Sequence, residues 1–179
     1  MPCIGARVMS VQTREFVDVA AKARKLGCRV PAGIALLPAN FATASDIGEF
    51  VFNPATPYIR SAWKSVRLED EGPRARDMTQ SSSIGIVSQA YANTESAEVP
   101  LVAFFGPGLL TGPEWSLAVA LGLVSRVLAL HPVCASPWEV RFHAVVGRPS
   151  GGCVCIEYQG DAFGIVALTR DVRRIWAGK

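Results

Sequence analysis

A chain of 179 residues, half of them hydrophobic and 18% charged, has the apolar material for one sizeable core and too little length for two. Soluble domains usually carry about 25% charged residues, and the mean hydropathy is +0.26; together these exclude a disordered chain and leave apolar surface to be buried internally or against a partner. The net charge of +3 is modest and uneven: six basic and two acidic residues give residues 1–29 +4, and six against three give residues 141–179 +3.

Residues 3–9 suit a strand, and Thr13 is placed to cap a helix running to Leu26 and ended by Gly27. Phe16, Val19, Ala20, Ala23 and Leu26 form its apolar stripe, with Arg14, Lys22 and Lys25 facing away. Residues 33–37 form a short apolar run before Pro38, a buried strand. A connection with one turn near Asp46–Phe50 leads to Thr56-Pro57, a capping hydroxyl followed by proline, which opens a helix reaching about Arg67. Residues 69–83 are polar and read as a flexible loop. They are also the one place for a boundary, but too few strands precede them for a separate sheet.

Residues 84–87 and 99–105 read as strands joined by a polar connection at 93–98. Thr111 to Glu114 matches a capping box with Pro113 inside it, and the helix from Glu114 to about Leu130 is apolar nearly all round. Such a helix must be covered on most sides. The alternating runs 138–147 and 153–159 flank a Pro-Ser-Gly-Gly turn and form a hairpin. Pairing Val146 with Val154 puts Ala144 opposite Ile156 and Phe142 opposite Tyr158 on one face, and His143 opposite Glu157 and Arg141 opposite Gln159 on the other. A slip by one residue would mix the two sets. Asp161 then caps a final helix to Trp176, with Ile165, Leu168, Val172 and Trp176 inward.

This order predicts a single α/β (or α+β) domain, with a mixed sheet of five to six strands packed by about four helices, ending in a hairpin and a helix. No stretch reaches the roughly 18 apolar residues of a membrane span. Five cysteines in no disulfide pattern and an N-terminus without a leader lead us to expect reduced thiols and a cytoplasmic protein.

Four groups of residues carry candidate chemistry, each with a plainer alternative. Gly106, Gly108 and Gly112 lie between a strand and a helix, where backbone amides can cradle phosphate. Pro107 and Pro113 remove donors there and Glu114 repels anions, so a capped turn competes. His131, Cys134, His143, Cys153 and Cys155 are zinc-ligand types, but His143 sits away from the tight end of the hairpin, no paired knuckles exist, and cysteine is also a small hydrophobe. His143, Glu157 and Cys155 allow a nucleophile arrangement on one hairpin face, or a cross-strand contact. Arg60, Lys64 and Arg67, and Arg170, Arg173 and Arg174, form two basic strips for interaction, or solvated faces.

No cofactor motif is present, and no cofactor is expected. The expected function is therefore a non-enzymatic binding or assembly module, an accessory subunit or homo-oligomer of a bacterial cytosolic system. The alternatives are a small enzyme or binding protein for a phosphorylated or anionic metabolite, and nucleic-acid binding through the basic helices.

Overall fold

A computed structural model describes residues 9–68, 71, 99–130 and 139–179. Its strands are β1 (Ser10–Phe16), β2 (Ile34–Leu37), β3 (Leu101–Phe105), β4 (Val140–Gly147) and β5 (Cys153–Gly160). The α-helices are α1 (Val19–Lys25), α2 (Thr56–Ser65), α3 (Pro107–Leu110), α4 (Trp115–Leu130) and α5 (Leu168–Trp176), with 3-10 turns at Ile47–Glu49 and Ala162–Ala167. The strands form one mixed sheet in the order β1-β5-β4-β3-β2. Among the described residues only β3 and β4 pair in parallel, joined through α4; the other pairs are antiparallel.

The hairpin has the register expected from alternation: Val146 faces Val154, Ala144 faces Ile156, and His143 faces Glu157. Period-2 alternation then divides the sheet. Phe142, Ala144, Val146, Ile156 and Tyr158 turn to the side packed by α2, α4, α5 and the second 3-10 turn, where the larger core lies. Cys153, Cys155, Val145, Val102 and Phe104 turn to the opposite side, where α1 and Phe41 cover part of the sheet.

The first helix is shorter than predicted. Residues 10–16 are strand β1, paired along its length with β5, and the cap of α1 is Asp18, whose carboxylate accepts from the Ala21 amide at 2.9 Å. Thr13 lies in the middle of the strand. Sheet pairing overrides the helical spacing because Phe16 reaches the α1 cluster from a strand as well as from a helix, while Arg14 and Glu15 gain partners across the sheet. Val19 and Ala23 are buried as predicted, and Gly27 ends the segment at φ +69°.

Smaller shifts occur at three other caps. Helix α2 begins with Thr56 already inside it, and the Asn53 side chain accepts from the Ala55 amide at 2.8 Å. Thr111 closes α3 instead of opening α4, donating its hydroxyl to the Pro107 carbonyl at 2.7 Å. Asp161 does cap, accepting from the Gly164 amide at 2.8 Å, but it opens the 3-10 turn that runs on into α5. The predicted strands at 84–87 and in residues 3–8 lie outside the described residues. Of the predicted loop 69–83, only Glu71 lies inside them.

Trp63 ties α2 to α4: it is fully buried and its indole N–H donates to the Ala120 carbonyl at 3.1 Å. Tyr158 ties the hairpin to the last helix, donating to the Asp161 carbonyl at 2.7 Å. No helix among the described residues is long and apolar enough to cross a membrane.

Burial, reinforced by the charge of Asp161, pushes the Tyr158 phenol from its ordinary 10 up to about 12. Below pH 10 folded and unfolded chains both hold this proton; between 10 and about 12 only the folded chain does. The unfolded state then binds fewer protons, so stability falls as pH rises through that window. Tyr158→Phe should cost about 1 kcal/mol at neutral pH through the lost hydrogen bond and flatten this alkaline loss. Urea unfolding of both proteins on either side of pH 10 measures the two effects.

Candidate functional site

On the sheet face that α1 leaves uncovered, three strands present polar side chains side by side. β4 contributes Arg141 and His143, β5 contributes Glu157 and Gln159, and β1 contributes Ser10, Gln12 and Arg14. Ser10, Gln12, Arg141, His143, Glu157 and Gln159 line a shallow, open depression of about 230 Å³. Cys155 lies on the same face, one side-chain position from Glu157, and is fully buried.

One donor atom each from His143, Cys155 and Glu157 lie within 4.8 Å of one another. The three residues the sequence singled out on this face are thus brought together. Arg14, expected on the polar face of a helix, belongs to the same cluster: its guanidinium Nε donates to Glu157 Oε1. Asp18, a capping residue directly before Val19, is the sequence signal that starts the helix after residue 16 and leaves Arg14 on a strand.

Desolvation lowers the His143 pKa below 6.5; Glu157 opposes this, while Arg14 and Arg141 add to it. Its imidazole is therefore neutral at pH 7. Desolvation pushes the Cys155 thiol up to about 12, against the pull of Arg14 and with a smaller push from Glu157. A nucleophilic thiol needs a lowered pKa, so the surroundings of Cys155 favour a protonated sulfur over an attacking one.

Cys153 sits further along β5 beneath α1, in the apolar cluster with Val19 and Ala23, and burial raises its thiol too. His131 and Cys134 lie outside the described residues, so their proposed meeting with Cys153 and Cys155 does too.

The glycine turn is packed against its own chain. The Gly106 amide donates to the Gly33 carbonyl at 2.6 Å and the Gly108 amide to the Ala32 carbonyl at 2.7 Å. The Gly112 amide goes to the Leu109 carbonyl at 3.1 Å. Donors spent on carbonyls are not offered to a phosphate. In the same corner the Glu71 carboxylate accepts from the Ala32 and Gly33 amides, the latter at 2.7 Å.

Of the basic strips, Arg173 donates to the Glu114 carbonyl and Arg174 pairs with Asp171 at 2.9 Å. Arg170, Lys64 and Arg67 are exposed, and Arg60 is half-buried. Two of the three cations on α5 thus have intramolecular partners.

Helix α4 occupies the middle of the helical layer, with α2 on one side and the second 3-10 turn and α5 on another. Its buried stripe is Ser116, Leu117, Ala120, Leu121, Val124, Ser125 and Leu128. The outer stripe stays apolar apart from Arg126. Trp115 is 57% exposed and Leu130 71% exposed, and Phe163 on the adjoining 3-10 turn is 60% exposed.

Comparison with family models, with curated proteins and with solved structures finds no match.

A Cβ at Gly108 would come within 2.8 Å of the Ala32 carbonyl oxygen, and one at Gly106 within 2.7 Å of the same atom. Backbone cannot yield as a side-chain tip does. Gly108→Ala should therefore destabilise the protein by roughly 1–3 kcal/mol, read as a lower urea midpoint.

Proposed function

We propose that this protein is a non-enzymatic assembly module whose outer α4 surface packs against a second copy of the chain. The observation that supports the reading is a largely apolar helix at the centre of its own layer whose outer edge exposes Trp115 and Leu130 at its two ends and Ala118 between them. Tryptophan is prominent among residues that dominate interface energies. Isolated exposed hydrophobics are ordinary on any protein, but here Trp115, Ala118, Gly122 and Leu130 line one stripe interrupted by Arg126, with exposed Phe163 on the adjoining turn, which is the pattern of a contact surface.

Gly122 gives the stripe its shape. Glycine inside a helix costs about 0.5–1 kcal/mol relative to alanine, and a Cβ built at Gly122 meets nothing within 4 Å. Among the described residues nothing draws a packing benefit from its absence. A helix crossing at this point does, because Gly122 and the exposed Ala118 let two backbones approach closely.

The stripe is compatible with itself. Crossing two copies antiparallel at Gly122 sets Ala118 of one protomer opposite Arg126 of the other, and Trp115 opposite Ala129. The only charge on the stripe then faces a small residue, and no like charges meet. A two-fold contact of this type is the commonest closed symmetry among soluble oligomers. One 16-residue helix spans about 24 Å at 1.5 Å per residue. That is narrow for the roughly 800 Å² per partner of a standard interface, so exposed Phe163 and Val166 on the adjoining turn extend it.

Light scattering at micromolar concentration is expected to give twice the mass of one chain. Ala118→Arg places a long cation on an exposed position, so the protomer should melt as before while the dimer weakens at least tenfold, about 1.4 kcal/mol. A wild-type protein that remains one chain throughout the micromolar range rejects the reading.

A further inference from the structure

We propose that His143, Cys155 and Glu157 form a binding site for a divalent cation of the zinc class, on the sheet face opposite the surface assigned to assembly. The juxtaposition carries it: a nitrogen, a sulfur and an oxygen donor, within 4.8 Å of one another, on two paired strands.

The donor set is chemically selective. Thiolate and imidazole together favour zinc and its neighbours over magnesium or calcium, which take oxygen ligands. Three protein ligands leave a fourth position for water or a small molecule, the arrangement of open zinc sites. Donors around one zinc ion lie roughly 3–4 Å apart at bond lengths of about 2.0–2.3 Å. A triangle with no edge above 4.8 Å is close to that size. His143 and Glu157 are only half-buried and border the open depression, so they have room to turn, while Cys155 is held by the sheet.

Each donor reaches the cation by an exchange. His143 offers a ring nitrogen. Cys155 holds its proton, and coordination drives it off: Cys–SH plus the cation gives the metal thiolate and one proton released to solvent. The Glu157 carboxylate is paired with Arg14, which competes with the cation for it. The Arg14 side chain is 52% exposed and can leave the carboxylate for water. Arg14 is thus a positioning residue that weakens the site, and the only cation in direct contact with a ligand among the described residues.

The test is cobalt(II) titration of protein first stripped with a chelator. One equivalent should produce a thiolate-to-cobalt absorption band and release close to one proton at neutral pH. Cys155→Ser should abolish the band. His143→Gln and Glu157→Gln should each weaken binding by about tenfold or more, and Arg14→Ala should strengthen it. Because Cys155 is buried and its variant can unfold, the half-exposed Glu157 and Arg14 positions read the same site independently. The proposal is overturned by a wild-type protein that shows no thiolate band in excess cobalt, or by a band that survives Cys155→Ser. It is equally overturned by an affinity that neither Glu157→Gln nor Arg14→Ala changes. None of these outcomes depends on the oligomeric state, so the site and the assembly surface fail or stand separately.

Discussion

The antiparallel register between β4 and β5 is the constraint from which the rest of this structure follows. With Val146 opposite Val154, every second side chain of the hairpin enters the helical layer, and those between them emerge on the other face. The same pairing places His143 across from Glu157 and Cys155 beside them. A one-residue slip of either strand would turn its own polar set, His143 on β4 or Glu157 on β5, into the main core and expose Phe142 or Ile156 in exchange. Burying those polar groups unpaired costs several kcal/mol, so one register is selected and the cluster comes with it.

The hairpin also divides the labour between the two faces. On one, α2, α4 and α5 bury Trp63, Phe142 and Ile156 in a continuous core. On the other, α1 is only seven residues long and covers part of the sheet, which leaves the polar ends of β1, β4 and β5 open. Coverage by a short helix therefore makes the polar cluster reachable. The glycine corner shows the opposite case. Gly106 and Gly108 permit the close approach of Ala32 and Gly33, and the amides used there serve the fold.

Local patterns were legible where neighbours in sequence are also neighbours in space. The hairpin register, the buried strand at Ile34–Leu37, the long helix α4 and the Asp161 cap all depend on short-range spacing. The pairing of His143 with Glu157 is legible for the same reason. Residues 10–16 have a spacing that satisfies a helix as well as a strand, and the deciding contacts, with Cys153 to Gln159, lie about 140 residues away. A helix there favours Thr13 as the cap over Asp18 and puts Arg14 on a solvated surface, whereas the strand sets it beside Glu157.

What the sequence determined alone is the alternation and its consequences: an α/β class, a closing hairpin with one workable register, and an amphipathic division of the last third. These follow from side-chain periods of 2 and 3.6, which any window of a dozen residues displays. Strand order, the capture of β1 as an edge strand, the carbonyls that occupy the glycine amides and the exposed outer edge of α4 were decided only in three dimensions. Each depends on which distant surface reaches a given position first, and a linear pattern of hydrophobicity carries no record of that competition.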